Sequence, residues 1–158
     1  TAYEIKECDW SSDVCSSDLY MARFGGIQEY LKSVVKEAKK VGYTETMFGR
    51  RRYLADLNQE NRVRREIAER AALNAPMQGS AADIIKFAML NFEKLSFQYK
   101  LKSRLILQVH DELIFEVAPG EEERLEAIVR EAMGSAAKLD VDLDINVGIG
   151  TSWADAAH

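Results

Sequence analysis

"LQVHDELIFEV", residues 107–117, sets His110, Asp111 and Glu112 between two apolar runs. Leu105, Leu107 and Val109 alternate with Ile106, Gln108 and His110 on the way in. Leu113, Phe115 and Val117 alternate with Ile114 and Glu116 on the way out. A period of two marks strands with one buried face. The pattern predicts two strands joined by a two-residue turn at His110–Asp111. Buried charge is costly unless paired or bound to metal, so the triplet is either a surface turn or a site. Carboxylates at one sheet end suit a hard cation, since Mg²⁺ is held by one or two carboxylates plus phosphate oxygens. Two such ions can activate an attacking oxygen and stabilise a leaving one. Taken alone, the triplet fits a polar turn better than a metal site.

On either side of the hairpin the period lengthens to that of a helix. Upstream, Ile84, Ile85, Ala88, Met89, Phe92 and Leu95 share one side of a helix from about Ala81. Downstream, "APGEEERLEAIVREAM" predicts a helix with acids in its first turn, where the macrodipole favours them. A last strand is expected in "DLDINVGI", residues 142–149. Further upstream, Ile27, Leu31, Val34, Val35, Ala38 and Val41 predict a helix that stops at Gly42. "YTETMFGRRRYL" reads as a second hairpin with Gly49 in its turn. Residues 59–74 form a helix that Pro76 is expected to interrupt, because proline removes a backbone donor and pushes Ala75 out of the helical region. The fold class that follows is α+β, with helices packed on a small, incomplete antiparallel sheet.

The 158 residues suffice for one real core. No apolar run approaches the roughly 20 residues of a membrane helix, and the start lacks a secretory pattern. Residues 1–19 carry both cysteines, Cys8 and Cys15, and five acids against one base. They show neither period nor caps. "TAYEI" and "DWSSDVCSSDL" resemble the translation of a short-read sequencing adapter, so this segment is expected to be non-native and disordered. The cysteine-free remainder suits a reducing cytoplasm. From Lys32 to Arg70 there are eleven basic residues against six acids, and from Leu101 onward five against twelve. That asymmetry suits a polyanion partner and a cation site, but on charge alone two ordinary solvated faces are the better reading.

Other chemistries fail on inventory. Outside the first nineteen residues the chain has no Cys and only His110 and His158, too few for zinc. Nucleophile-elbow, Walker and dinucleotide patterns are absent. "ERAALNAPMQGSAADIIK", residues 69–86, places Arg70 and Asn74 four apart on one helix face, and Gln78 extends the stripe if the Pro76 break is shallow. Such donors match the minor-groove acceptors that every base pair presents. Taken in isolation, a stripe of this kind fits a capped, kinked surface helix better.

Taken together and in order, "GYTETMFGRRRYLADL", "ERAALNAPMQGSAADIIKFAM" and "LQVHDELIFEV" resemble the C-terminal part of family A DNA polymerases, from about Tyr20 to His158. The resemblance implies the end of the fingers and the C-terminal part of the palm. It implies template-directed nucleotidyl transfer by two Mg²⁺ ions, with primer–template DNA and deoxynucleoside triphosphates as partners. Asp111 would be a catalytic aspartate holding the metals, Glu112 an auxiliary carboxylate beside them, and His110 a contact to the primer terminus. Arg70, Asn74 and Gln78 would track the minor groove. The intact enzyme would be monomeric, cytoplasmic, and of bacterial or phage origin. Gly25 stands where proline is common and Ser80 where threonine is common. The family's second metal aspartate and its nucleotide-binding helix are missing, so the isolated chain is expected to be inactive and, with a bare sheet edge, poorly soluble. Two other classes stay open: a non-catalytic nucleic-acid-binding module and an inert α+β domain.

Overall fold

The computed structural model describes residues 23–156. The expected adapter-derived segment, both cysteines and His158 lie outside these residues. The chain divides into two compact units, one of residues up to 45 together with 51–75, the other of residues 46–50 together with 76 onward.

In the first unit, α1 (Gly25–Val41) buries Ala38 and half-buries Leu31, Val34 and Val35, as the apolar spacing predicts, while Ile27 and Val41 stay exposed. Gly42 ends the helix at φ 82°, a left-handed position that glycine takes without strain, and its N–H bonds to the Ala38 carbonyl at 2.8 Å. The chain then enters β1 (Tyr43–Glu45), which pairs antiparallel with β2 (Arg51–Tyr53). Tyr43 faces Tyr53 across the ladder with ring centroids 5.5 Å apart, and the Arg51 guanidinium lies 4.5 Å from the Tyr43 ring. A 3₁₀ turn (Ala55–Asn58) brings Leu57 into the core, where it packs with Ala38, Ala68 and Ala72. Leu57 fills this core against three alanines, whose small side chains let the helices and the turn approach closely. Asn58 closes the seam by donating to the Lys39 carbonyl at 2.9 Å.

The helix containing Ala68 and Ala72, α2, runs unbroken from Arg62 to Tyr99 with Pro76 inside it. The sequence predicted a stop before Pro76 and a fresh start near Ala81, and this is corrected. An interior proline costs about 3 kcal/mol. Ala72 and Ala75 before it, and Ile85, Ala88 and Phe92 after it, are all buried, and burial on both sides offsets that cost.

In the second unit, residues 76–99 of α2 present the expected stripe. Phe92 joins Leu125, Ile128, Val129 and Ala132 in the main core. The last four come from α3 (Glu122–Gly134), whose first turn holds Glu122 and Glu123 as predicted. The hairpin of β3 (Arg104–Val109) and β4 (Glu112–Glu116) packs Leu105 and Phe115 against this core, with Phe115 edge-on to Phe92 at 4.7 Å. The predicted alternation in β3 breaks at Ile106. Leu105 pairs with Phe115 and Leu107 with Ile114, so Ile106 is the extra residue of a bulge. Both Ile106 and Leu107 are exposed in consequence. Among the described residues the two strands pair only with each other.

Glu121 fastens the hairpin to α3. Its carboxylate accepts from the backbone N–H groups of Lys102 and Ser103 at 3.0 and 2.8 Å and from the Ser103 hydroxyl at 2.7 Å. Residues 142–149 form no strand, contrary to the sequence pattern. The period-two apolar residues are there, but a strand exists only against a partner, and none pairs with this segment among the described residues. It ends in a single helical turn, α4 (Trp153–Ala156).

Candidate functional site

Val109 pairs with Glu112, which leaves His110 and Asp111 as a two-residue turn, as the sequence predicts. His110 adopts φ 51°. This left-handed conformation is uncommon for a residue with a Cβ, though histidine tolerates it better than most. Tight hairpin turns require such values because their twist then matches that of the strands. The Gln108 side-chain amide donates to the His110 carbonyl and helps to hold the bend. His110, Asp111 and Glu112 are all exposed. Glu112 Oε2 accepts a 3.2 Å hydrogen bond from the Trp153 indole. The site is therefore an open carboxylate pair at a strained hairpin tip.

Arg70 and Asn74 lie exposed, four apart, on the part of α2 that belongs to the first unit. Gln78 is exposed on the part of α2 that belongs to the second.

Sequence reasoning missed a polar clamp in the second unit. Residues 46–50 form a turn in which Thr46 Oγ1 accepts from the N–H groups of Phe48 and Arg50 at 3.3 and 3.2 Å. The Arg50 guanidinium donates to Asp83 Oδ1 at 2.7 Å and to the Gly79 carbonyl at 3.0 Å. The Met47 N–H donates to Ser80 Oγ at 2.9 Å, and Phe48 meets Phe87 edge-on at 5.0 Å. Gly79 makes the approach possible, because a Cβ there would lie 2.6 Å from Thr46 Cγ2. Asp83 is only 7% exposed, and among the described residues its Oδ2 has no hydrogen-bond partner. Burial pushes its carboxyl upward. The Thr46 hydroxyl and Arg50 outweigh burial and hold it below the ordinary aspartate range. The signal available in the sequence was the spacing of Gly79, Asp83 and Phe87, each four residues apart on one helix face.

A family model described as DNA polymerase family A matches residues 14–155. DNA polymerase I of Mycobacterium tuberculosis is 61% identical over 141 residues, which is 89% of this chain and 16% of that protein. DNA polymerase I of Bacillus subtilis is 48% identical over 139 residues, again 16% of its length. The chain thus spans about a sixth of the curated relatives it matches. A solved structure described as the POL domain of Pol1 from M. smegmatis in complex with DNA primer-template and dNTP superposes with a TM-score of 0.87 at 58% identity, covering 90% of this chain and 25% of that one. With the family model matching most of the chain and the fold shared with that POL domain, the chain belongs to DNA polymerase family A.

Proposed function

We propose that this chain carries part of the machinery of template-directed DNA synthesis, in which a primer 3′-hydroxyl attacks the α-phosphate of a deoxynucleoside triphosphate and pyrophosphate leaves. The observation that carries the reading is the β3–β4 turn, where a left-handed His110 sets Asp111 and Glu112 at an exposed hairpin tip. The M. smegmatis relative, described with DNA primer-template and dNTP, supports the same partners here.

The carboxylate pair fits the protein's share of a Mg²⁺ shell, which one or two carboxylates supply and phosphate oxygens complete. No group of three His, Cys, Asp or Glu side chains able to hold a metal occurs among the described residues. A Mg²⁺ pair, when bound, would ease deprotonation of the attacking hydroxyl and neutralise charge on the leaving group. Asp111 would hold the metals directly, with Glu112 beside it. His110 would donate to an oxygen of the primer terminus. Arg70, Asn74 and Gln78 would donate to purine N3 and pyrimidine O2, acceptors present on every pair, and so sense pairing geometry without selecting sequence. The chain by itself would not turn over, since one aspartate cannot organise two metals. No described helix is long and apolar enough to cross a membrane. We place the working enzyme in the cytoplasm, as a monomer on DNA.

The test is primer extension by a chain of the relatives' full length carrying these residues. Asp111→Ala should abolish extension while leaving duplex binding intact, and retained synthesis would overturn the assignment. The second reading, a non-catalytic nucleic-acid-binding module that uses the basic 32–70 region, is favoured by Arg70 and Asn74 lying exposed four apart on α2. It predicts salt-dependent duplex binding by the 158-residue chain that survives Asp111→Ala and falls with Arg70→Ala.

A further inference from the structure

We infer that Trp153 is a positioning residue for Glu112, so that the C-terminal turn forms part of the metal site; this rests on the reading of Asp111 and Glu112 as metal ligands. The indole N–H is a donor only, and it is spent on Glu112 Oε2 at 3.2 Å across 41 residues of chain. Among the described residues the Glu112 side chain makes no other hydrogen bond or ion pair, which leaves Oε1 open. A glutamate with both oxygens in solvent sweeps through many rotamers, and ordering it opposes binding. Fixing one oxygen limits where the other can point.

The indole is itself held. The Asp155 N–H donates to Ser152 Oγ at 3.3 Å, and Thr151 Oγ1 donates to Asp155 Oδ2 at 2.8 Å, which closes the start of α4 around Trp153. The backbone at Gly148 packs so closely on α4 that a Cβ there would lie 1.8 Å from the Ala156 carbonyl oxygen. A donor on a braced turn, aimed at one oxygen of a metal carboxylate, acts as outer partners of metal ligands do: it sets ligand orientation and thereby affinity.

The experiment measures Mn²⁺ binding to the 158-residue chain from the electron paramagnetic resonance signal of the free ion. Trp153→Phe keeps the ring and removes the donor, and should raise the Mn²⁺ Kd about tenfold, the lower end for outer-shell changes because the bond is exposed. Trp153→His restores an N–H and should recover part of the loss. In a Glu112→Gln background, Trp153→Phe should add nothing further. A general folding defect would instead lower the circular dichroism signal and persist in that background. Asp111→Asn separates the two levels of the account. If Asp111→Asn weakens Mn²⁺ binding while Trp153→Phe leaves it unchanged or tighter, positioning by Trp153 is overturned and the metal reading stands. If the wild-type chain and Asp111→Asn bind alike, both are overturned.

Discussion

Replacing Arg50 with alanine tests whether the 46–50 turn is clamped to α2 by charge. The guanidinium makes two bonds, to Asp83 Oδ1 at 2.7 Å and to the Gly79 carbonyl at 3.0 Å. A hydrogen bond to a charged group contributes about 1.5–3 kcal/mol and a neutral one about 0.5–1.5. The Arg50 side chain is 50% exposed, so water replaces part of what is lost. The expected destabilisation is therefore about 2 kcal/mol, between the values for surface and buried pairs. Asp83→Ala should cost about 1–2 kcal/mol, since it leaves Arg50 free to turn to solvent. The double variant should cost little more than Arg50→Ala alone, a coupling of about 1 kcal/mol. Urea unfolding followed by circular dichroism, at low protein concentration, measures all three. Additivity within about 0.5 kcal/mol would show that the pair does not couple and would refute the clamp.

The same pair has a pH signature. In the folded chain the Asp83 carboxyl lies below its ordinary value of 3.8. A depressed folded pKa contributes stability that is fully present above the unfolded value and is lost as pH falls through the folded one. Without Arg50, burial is less opposed and should push the carboxyl up, so that protonation relieves a buried charge. The deficit of Arg50→Ala should therefore shrink as pH is lowered toward 4. A deficit that stays constant with pH would contradict this.

Gly79→Ala should destabilise by about 1 kcal/mol net, because crowding against Thr46 Cγ2 outweighs the gain in helix propensity; unchanged urea stability would show that Thr46 gives way freely. Phe92→Ala should cost about 3–5 kcal/mol, since it empties the centre of the second unit's core and removes the ring against Phe115; a thermal melt near that of wild type would contradict the packing. The Ser103 hydroxyl, followed by the backbone N–H groups of Ser103 and Lys102, holds the Glu121 carboxyl below the usual glutamate value of 4.5. Its contribution should be present above that pH and lost as pH falls through the lower folded value, so Glu121→Gln should flatten the acid limb of the stability profile, which an unaltered limb would refute.

Local pattern made much of this fold legible. The α1 stripe and its Gly42 stop, both hairpins, and the stripe from Ile85 to Leu95 follow from periods of two and 3.6 together with turn chemistry. Three features depend on tertiary context that no local window holds. Pro76 remains helical because the residues on both sides of it are buried. Residues 142–149 have a strand's pattern and no partner, and Ile106 bulges out of a run that reads as regular. At the candidate site, the turn of His110 and Asp111 was visible as charge between apolar runs. What braces the polar residues was not, because Arg50 finds Asp83 across 33 residues and Trp153 finds Glu112 across 41.

The central claim is that Asp111 binds catalytic metal. Its most direct test is anomalous scattering from Mn²⁺ in crystals of a full-length chain carrying these residues, grown with primer–template DNA and a non-reactive deoxynucleoside triphosphate analogue. The account predicts an anomalous peak within coordination distance of the Asp111 carboxylate, roughly 2.0–2.2 Å. Metal bound on the triphosphate with the Asp111 carboxylate turned away from it would contradict the account.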